Sequence, residues 1–306
     1  MALDDMVKRS DGVVERCESS TPLSQHSNVP LLHSLPRRLI VNADDFGRSR
    51  SINEAVLRAH RDGILTSASL MVNEAGADEA VALARETPKL AVGLHLTLLC
   101  GHSALSQEKI PSLVSAQREF SDDPVTAGFR YFVKRNLREQ LRVEIRAQFK
   151  KFQATGLPLD HVNGHLHLHL HPTVFGILME DAEKLGIRHM RLTREPFWMD
   201  LPLARGRRLY RATHAGIYFV LSWLARSRLR RRNIHHSDRV FGLLENDRVD
   251  EAYMLKLLSV LPAGDSELYS HPSLDKFKHE FDALVSPRVK EQVARLGIQL
   301  IRYQDL

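Results

Sequence analysis

From residue 37 to the C-terminus, short β-rich apolar runs alternate with segments of helical apolar period. This alternation restricts the chain to βα units built around a parallel sheet. Strands are expected at Leu39–Ala43, Ser67–Val72, Ala91–Leu96, Leu159–Asn163, His189–Thr193, Glu267–Ser270 and Ile298–Arg302, with a further short one at Arg239–Leu243. Helices are expected at Ser51–Asp62, Asn73–Glu86, Arg138–Ala154, Thr173–Leu185, Arg248–Leu261 and Pro287–Leu296. Gly63, Gly156, Gly186 and Gly297 stand where helices should stop before the next strand. Seven or eight such units predict an α/β fold, a distorted TIM-like (β/α) barrel, and 306 residues suffice for one. The barrel is expected over residues 37–306 as a single domain. Residues 1–36, polar and without a sustained apolar period, read as a disordered tail.

Only two cysteines occur, Cys17 and Cys100, so a disulfide scaffold is not expected and a reducing compartment fits. No run approaches the ~20 apolar residues of a membrane span, and the polar N-terminus lacks the apolar core of a secretory signal. A cytoplasmic protein is expected. The net charge of +6 is local: nine arginines and no Asp or Glu lie between Leu201 and Ser237, and the rest of the chain holds 34 basic against 37 acidic residues.

The residues able to do chemistry collect at strand ends. Asp44 and Asp45 follow the first strand, His95 closes the third, His165 follows the fourth and His271 follows Glu267–Ser270. In a parallel barrel these ends open on one face, so residues distant in sequence converge. Each has a plainer reading alone: an Asp pair makes a turn or helix cap, and a histidine in GLHLTL can sit in a core. In HVNGHLHLHLHP four histidines alternate with leucines, so an extended segment would turn His165, His167, His169 and His171 to one face. Imidazoles need partners when buried, which favours metal binding by at least one of them; the spacing does not say which. A carboxylate with two imidazoles and open positions is a catalytic rather than structural metal site. Zinc is its natural occupant among divalent ions. A second carboxylate could then take a proton from water, and a histidine opposite could protonate a departing amine.

LIVNADDFG, DGILTSASLMVN, AVGLHLTL, HVNGHLHLHLHP and ELYSHPS, in this order, resemble the YdjC-like carbohydrate deacetylases of the glycoside hydrolase/deacetylase superfamily. The resemblance runs from about Arg38 onward. It implies a metal-dependent hydrolase that removes the N-acetyl group from an amino sugar, with one divalent ion, zinc or magnesium. By position it implies Asp44 as general base and His271 as general acid, Asp45, His95 and His165 as metal ligands, and His167, His169 and Asn73 as lining of the substrate pocket. Asn163 stands where many relatives carry Asp, a change expected to weaken a hydrogen bond behind the site. The details are most similar to the branch associated with hopanoid biosynthesis, which implies an N-acetylglucosaminyl hopanoid as substrate. Soluble chito-oligosaccharides are the alternative, and a sugar-binding protein without turnover is the non-enzymatic one.

Ala215–Ala225 (AGIYFVLSWLA) is apolar and RSRLRRR follows at once. Eleven residues are too few to span a bilayer, but aromatics beside arginines suit an anionic membrane surface, so peripheral contact through 215–232 is expected. An ordinary core helix followed by a basic turn is the competing reading. No nucleic-acid-binding module is recognisable and no such partner is expected. A phosphoesterase would need more clustered ligands, and a glycosidase would need two carboxylates facing each other across a bond rather than adjacent in sequence.

Overall fold

The computed structural model describes residues 35–200, 203 and 208–306. The tail expected over residues 1–36 lies outside the described residues apart from Leu35 and Pro36, as do Arg205 and Arg207 of the basic segment. In chain order the elements begin with β1 (Arg37–Phe46), α1 (Arg50–Asp62), β2 (Ser67–Leu70), α2 (Ala77–Arg85) and β3 (Ala91–Leu96). Next come α3 (Pro124–Val133), α4 (Leu137–Ala154), β4 (Val162–Gly164), α5 (Pro172–Asp181), α6 (Phe197–Asp200) and α7 (Arg208–Arg231). The chain ends with β5 (Arg239–Phe241), α8 (Glu251–Val260), β6 (Gly264–Ser270), α9 (Lys278–Val285), α10 (Pro287–Arg295) and β7 (Gln299–Ile301).

All strand pairings are parallel, in the order β4-β3-β2-β1-β6-β5, with β7 also on β1. β1 is long enough to serve two partners on one edge: Arg38–Ile40 pair with β7 and Asn42–Phe46 with β2, while β6 takes the other edge. Paired on both sides, it is buried from Leu39 onward, which explains its nearly continuous apolar run. Between β4 and β5 the expected strand at His189–Thr193 is present as extended backbone with isolated bridges. His189 O accepts from Val162 N, Val162 O from Arg191 N and Arg194 O from Val240 N, each at 3.0 Å. The sheet thereby curls into a distorted TIM-like barrel, as the βα alternation predicted.

Local signals act where expected. Ser49 caps α1 through Ile52 N, and the N–H of Gly63 closes the helix on Ala59 O. Four helices were not legible. α3 and α7 carry most of their large apolar residues outward, so neither shows a full inward apolar stripe of helical period, and α6 and α9 are only four and eight residues long. Ala215–Ala225 is the middle of a barrel helix, as the competing reading expected, packing one side on the core through Ala215, Tyr218, Leu221 and Ala225 while its other large apolar residues stay outside. No helix among the described residues is long and apolar enough to cross a membrane.

The extended HLHLHLH segment is also corrected. His165–Leu170 form a 3-10 turn in which Leu166 (φ 51°) and His167 (φ 55°) are left-handed. The chain must reverse from β4 into α5 within a few residues, and Pro172 at the helix start keeps His171 out of helical geometry. The four imidazoles consequently do not share one face: His165 and His167 line one cavity, whereas His169 and His171 turn to the backbone oxygens of Arg191 and Gly128.

Gly93 lets β3 approach the neighbouring chain closely. A Cβ there would lie 2.5 Å from both the His161 carbonyl oxygen and its ring, whereas one at Gly128 in α3 would meet nothing within 4 Å. Gly93→Ala should lower unfolding free energy by about 1–3 kcal/mol in urea titrations, and Gly128→Ala should raise it by about 0.5–1 kcal/mol. Equal effects from both substitutions would refute the close-approach argument.

Candidate active site

The site starts from an irregularity in β1. Against β2, Ala43 pairs with Ala68 and Phe46 with Leu70, so one extra residue is inserted at Asp44–Asp45. Asp45 adopts φ 63°, a conformation Asp tolerates better than most residues. In regular pleating the two carboxylates would point to opposite faces; with the bulge both line one cavity of about 620 Å³. Gly47 (φ 91°) completes the turn, its N–H donating to Asn53 Oδ1. A Cβ on Gly47 would meet Leu70 Cδ1 at 2.9 Å.

Asp45, His95 and His165 meet in that cavity. Asp45 Oδ1 lies 3.3 Å from His95 Nε2 and 3.0 Å from His165 Nδ1, and the two ring nitrogens are 3.3 Å apart. Neither ring directs an N–H onto Asp45 Oδ1, which is buried without a hydrogen-bond partner. Three such ligand atoms within 4.8 Å of one another, one an unsatisfied carboxylate oxygen, fit a divalent cation. Behind them, His95 Nδ1 donates to Asn163 Oδ1 at 2.7 Å, which leaves the Nε2 lone pair for the cluster. Burial alone would raise the pKa of Asp45, but His165 and His95 outweigh it and hold the carboxyl well below its usual range.

Asp44 is gripped from several sides. Its Oδ1 accepts from Asn42 Nδ2 (2.8 Å), Asn163 Nδ2 (3.1 Å) and Arg191 Nη2 (2.9 Å); its Oδ2 accepts from Arg191 Nη1 (2.7 Å). Burial opposes the charge, yet Arg191 prevails and the carboxyl stays ionised far below the ordinary carboxylate range. Arg191 is itself fully buried. It also donates to Glu267 from Nε (2.9 Å) and Nη2 (2.6 Å), and stacks over the Tyr269 ring at 4.4 Å. The hydroxyl of Tyr303 donates to the other Glu267 oxygen.

The remaining expected residues divide. His271 lines the cavity; its backbone N–H donates to Glu280 Oε2 at 2.5 Å, and its Nδ1 lies 4.0 Å from Asp247 Oδ1. His167 lines it too and shares a 2.9 Å hydrogen bond with the Tyr269 hydroxyl; burial drives its pKa well down, so it is neutral. His169 and Asn73 do not line the cavity. His169 is sealed beneath it, Nε2 donating to Arg191 O at 2.9 Å, with burial lowering its pKa to about 3. Asn73 donates to His102 O. Asn163 does not weaken the hydrogen bond behind the site: it makes it, and its amide also serves Asp44 and Ser69. An Asp at 163 would set a second carboxylate 3.1 Å from Asp44 Oδ1.

Sequence reading missed Arg191, Glu267, Tyr269 and Glu280. The available signal was a charged residue inside an apolar run, HMRLT for Arg191 and SELYS for Glu267, each lacking a polar reason to be there.

Fold and site together define a (β/α)-barrel protein with a carboxylate–histidine cluster at the C-terminal ends of its strands, a donor set compatible with a divalent cation, beside an ionised aspartate. Residues 38–295 match the family of YdjC-like proteins, and the chain belongs to that family. It is 30% identical over 275 residues to a carbohydrate deacetylase of Geobacillus stearothermophilus, covering 89% of this chain and 98% of that one. A chitooligosaccharide deacetylase of Proteus mirabilis is also 30% identical, over 88% of this chain and 98% of its own. A crystal structure of a putative cellobiose-phosphate cleavage protein from Enterococcus faecalis superposes with a TM-score of 0.68 at 24% identity, over 88% of this chain and 98% of that one, and confirms the fold.

Asn163→Ala should weaken zinc binding about 10–100-fold by calorimetry; unchanged affinity would mean that β3 packing alone orients His95. Arg191→Met strands two buried carboxylates and should lower stability by about 3–5 kcal/mol. Because Asp44 titrates far lower in the folded protein than unfolded, the stability it contributes is present above the unfolded pKa of about 4 and is lost as pH falls. The gap between wild type and variant should therefore narrow below about pH 4 in denaturant titrations.

Proposed function

We propose that this chain is a metal-dependent carbohydrate N-deacetylase, acting on an N-acetylated amino sugar to give the free amine and acetate. The observation that carries the reading is the Asp45–His95–His165 cluster with ionised Asp44 and His271 on the walls of the same cavity. Relatives aligned over nearly their whole length are named carbohydrate and chitooligosaccharide deacetylases, which supports the substrate class.

A divalent cation held by Asp45, His95 and His165 would supply Lewis acidity, polarising the acetyl carbonyl and acidifying water. Asp44 takes the proton of the attacking water at Oδ2, the oxygen with a single hydrogen-bond partner. The water oxygen bonds to the carbonyl carbon, the C–N bond breaks, and His271 delivers a proton to the departing nitrogen. Asn42, Asn163 and Arg191 fix the Asp44 carboxylate, so it accepts the proton without reorienting. The preferred sugar is the N-acetylglucosaminyl hopanoid implied by the branch resemblance, with soluble chito-oligosaccharides as the competing substrates.

Acetate release by the metal-loaded protein from N,N′-diacetylchitobiose and from an N-acetylglucosaminyl hopanoid tests this directly. Asp44→Asn and His271→Ala should each lower kcat by about 100-fold or more, and chelation should abolish release until zinc or magnesium is restored. Turnover indifferent to chelation would sink the metal assignment. Sugar binding without turnover on either substrate would establish a binding protein instead.

A further inference from the structure

α7 is built the opposite way round from an ordinary surface helix. Toward the barrel it turns mostly small or polar residues, Ala215, Ser222 and Ala225, with Leu229 buried and Tyr218 and Leu221 half-buried against the core. Toward solvent it turns Ile217, Phe219, Val220, Trp223 and Leu224, each more than half exposed, and Trp223 reaches 69%. Helices of soluble proteins bury such residues, and an apolar face left outside marks an interaction surface.

The outward face changes character at its end. Arg226 and Arg230 follow Trp223 at helical spacing, and Arg231 follows Leu224; all three are exposed, and they form no ion pair among the described residues. α7 contains no Asp or Glu. Arginines in a last turn complement the helix dipole, which accounts for their position but not for the apolar turns before them. Trp223, Arg226, Arg230, His235 and His236 also line an open groove of about 640 Å³, a pairing of aromatic and cationic groups suited to an anionic headgroup.

The same construction recurs across the cavity mouth. α3 exposes Val125, Phe129, Phe132 and Val133, with Lys134 and Arg135 exposed just beyond. Pro124 of α3, Leu166, and His214 and Tyr218 of α7 all line the catalytic cavity, so both helices border it.

We propose that the outward face of α7 seats the protein on an anionic bilayer, its aromatics at headgroup depth and its arginines on lipid phosphates, with α3 adding a second contact beside the cavity mouth. A second copy of the chain fits this face less well. In a two-fold contact the patch meets itself, bringing two uncompensated sets of arginines into one interface. The inference rests on the deacetylase reading only in that the cavity beside the lipid would receive an amino sugar carried by a membrane glycolipid.

The full chain is tested by flotation with vesicles of phosphatidylglycerol and phosphatidylcholine in about equal parts, against phosphatidylcholine alone. Wild type should bind the anionic vesicles at least about tenfold more tightly, with binding weakening as salt rises. A triple variant with Arg226→Glu, Arg230→Glu and Arg231→Glu, and a double variant with Phe219→Ser and Trp223→Ser, should each lose about tenfold or more. Both should keep wild-type acetate release from N,N′-diacetylchitobiose, which shows that they fold. Absence of wild-type binding to anionic vesicles at low salt overturns the proposal. So does a dimer seen by light scattering that the Phe219/Trp223 variant dissolves while vesicle binding is missing. Vesicle binding by a wild-type protein that releases no acetate would leave the surface assignment standing and remove only the catalytic one.

Discussion

The guanidinium of Arg191 is sealed inside the barrel, with Asp44 on one side, Glu267 on the other and the Tyr269 ring beneath it. A single cation there would be prohibitively expensive to desolvate. Two carboxylates, four donated hydrogen bonds and an aromatic face offset the loss of water. Replacing the whole set with apolar side chains would satisfy stability alone, so the arrangement has to be judged by what it holds. It joins β1 to β6 and, through Tyr303, to the C-terminal turn, and it keeps Asp44 charged in the interior.

From Asp44 the network runs outward without a gap. Asn163 donates to Asp44 and to Ser69 with its amide and accepts from His95 with its oxygen, so one side chain sets both the aspartate and the first imidazole of the cluster. Left-handed backbone at Asp45, Leu166 and His167, roughly 1–2 kcal/mol per residue, accompanies the same site. Such conformations persist only where the surroundings over-determine them. Here they do two things that regular structure cannot: the bulge turns consecutive carboxylates into one cavity, and the reversal after β4 keeps His165 and His167 on that cavity while His169 and His171 turn away from it.

That division marks the limit of what the amino-acid pattern conveys. The positions of Asp44, Asp45, His95, His165 and His271 at strand ends were readable because parallel barrels open their C-terminal ends on one face. The roles of His167 and His169 were not separable, since strict alternation describes a strand and is silent about a left-handed turn. Arg191 and Glu267 were overlooked for a related reason: a charged residue in a short apolar run is easily read as facing water, and only closure of the barrel turns it inward. Asn163 looked like a lesion when compared with an aspartate at the same place. Its value lies in having a donor and an acceptor where Asp44 supplies charge and His95 supplies a proton, a fact available only once the three are seen together.

The same closure explains half of α7's inverted pattern. Between β4 and β5 the sheet is held only by the extended 189–194 segment, and α7 covers it closely enough for Ser222 Oγ to donate to Thr193 O at 2.9 Å. Close approach of a helix to bare backbone demands small inward residues, as Ala215 and Ala225 supply. It makes no demand on the outward face, where water favours charged or polar side chains at almost no loss to packing. Five large apolar residues there, continued by arginines on the same face, follow neither from the barrel nor from solubility, and they are the feature on which the proposed seating on an anionic bilayer rests.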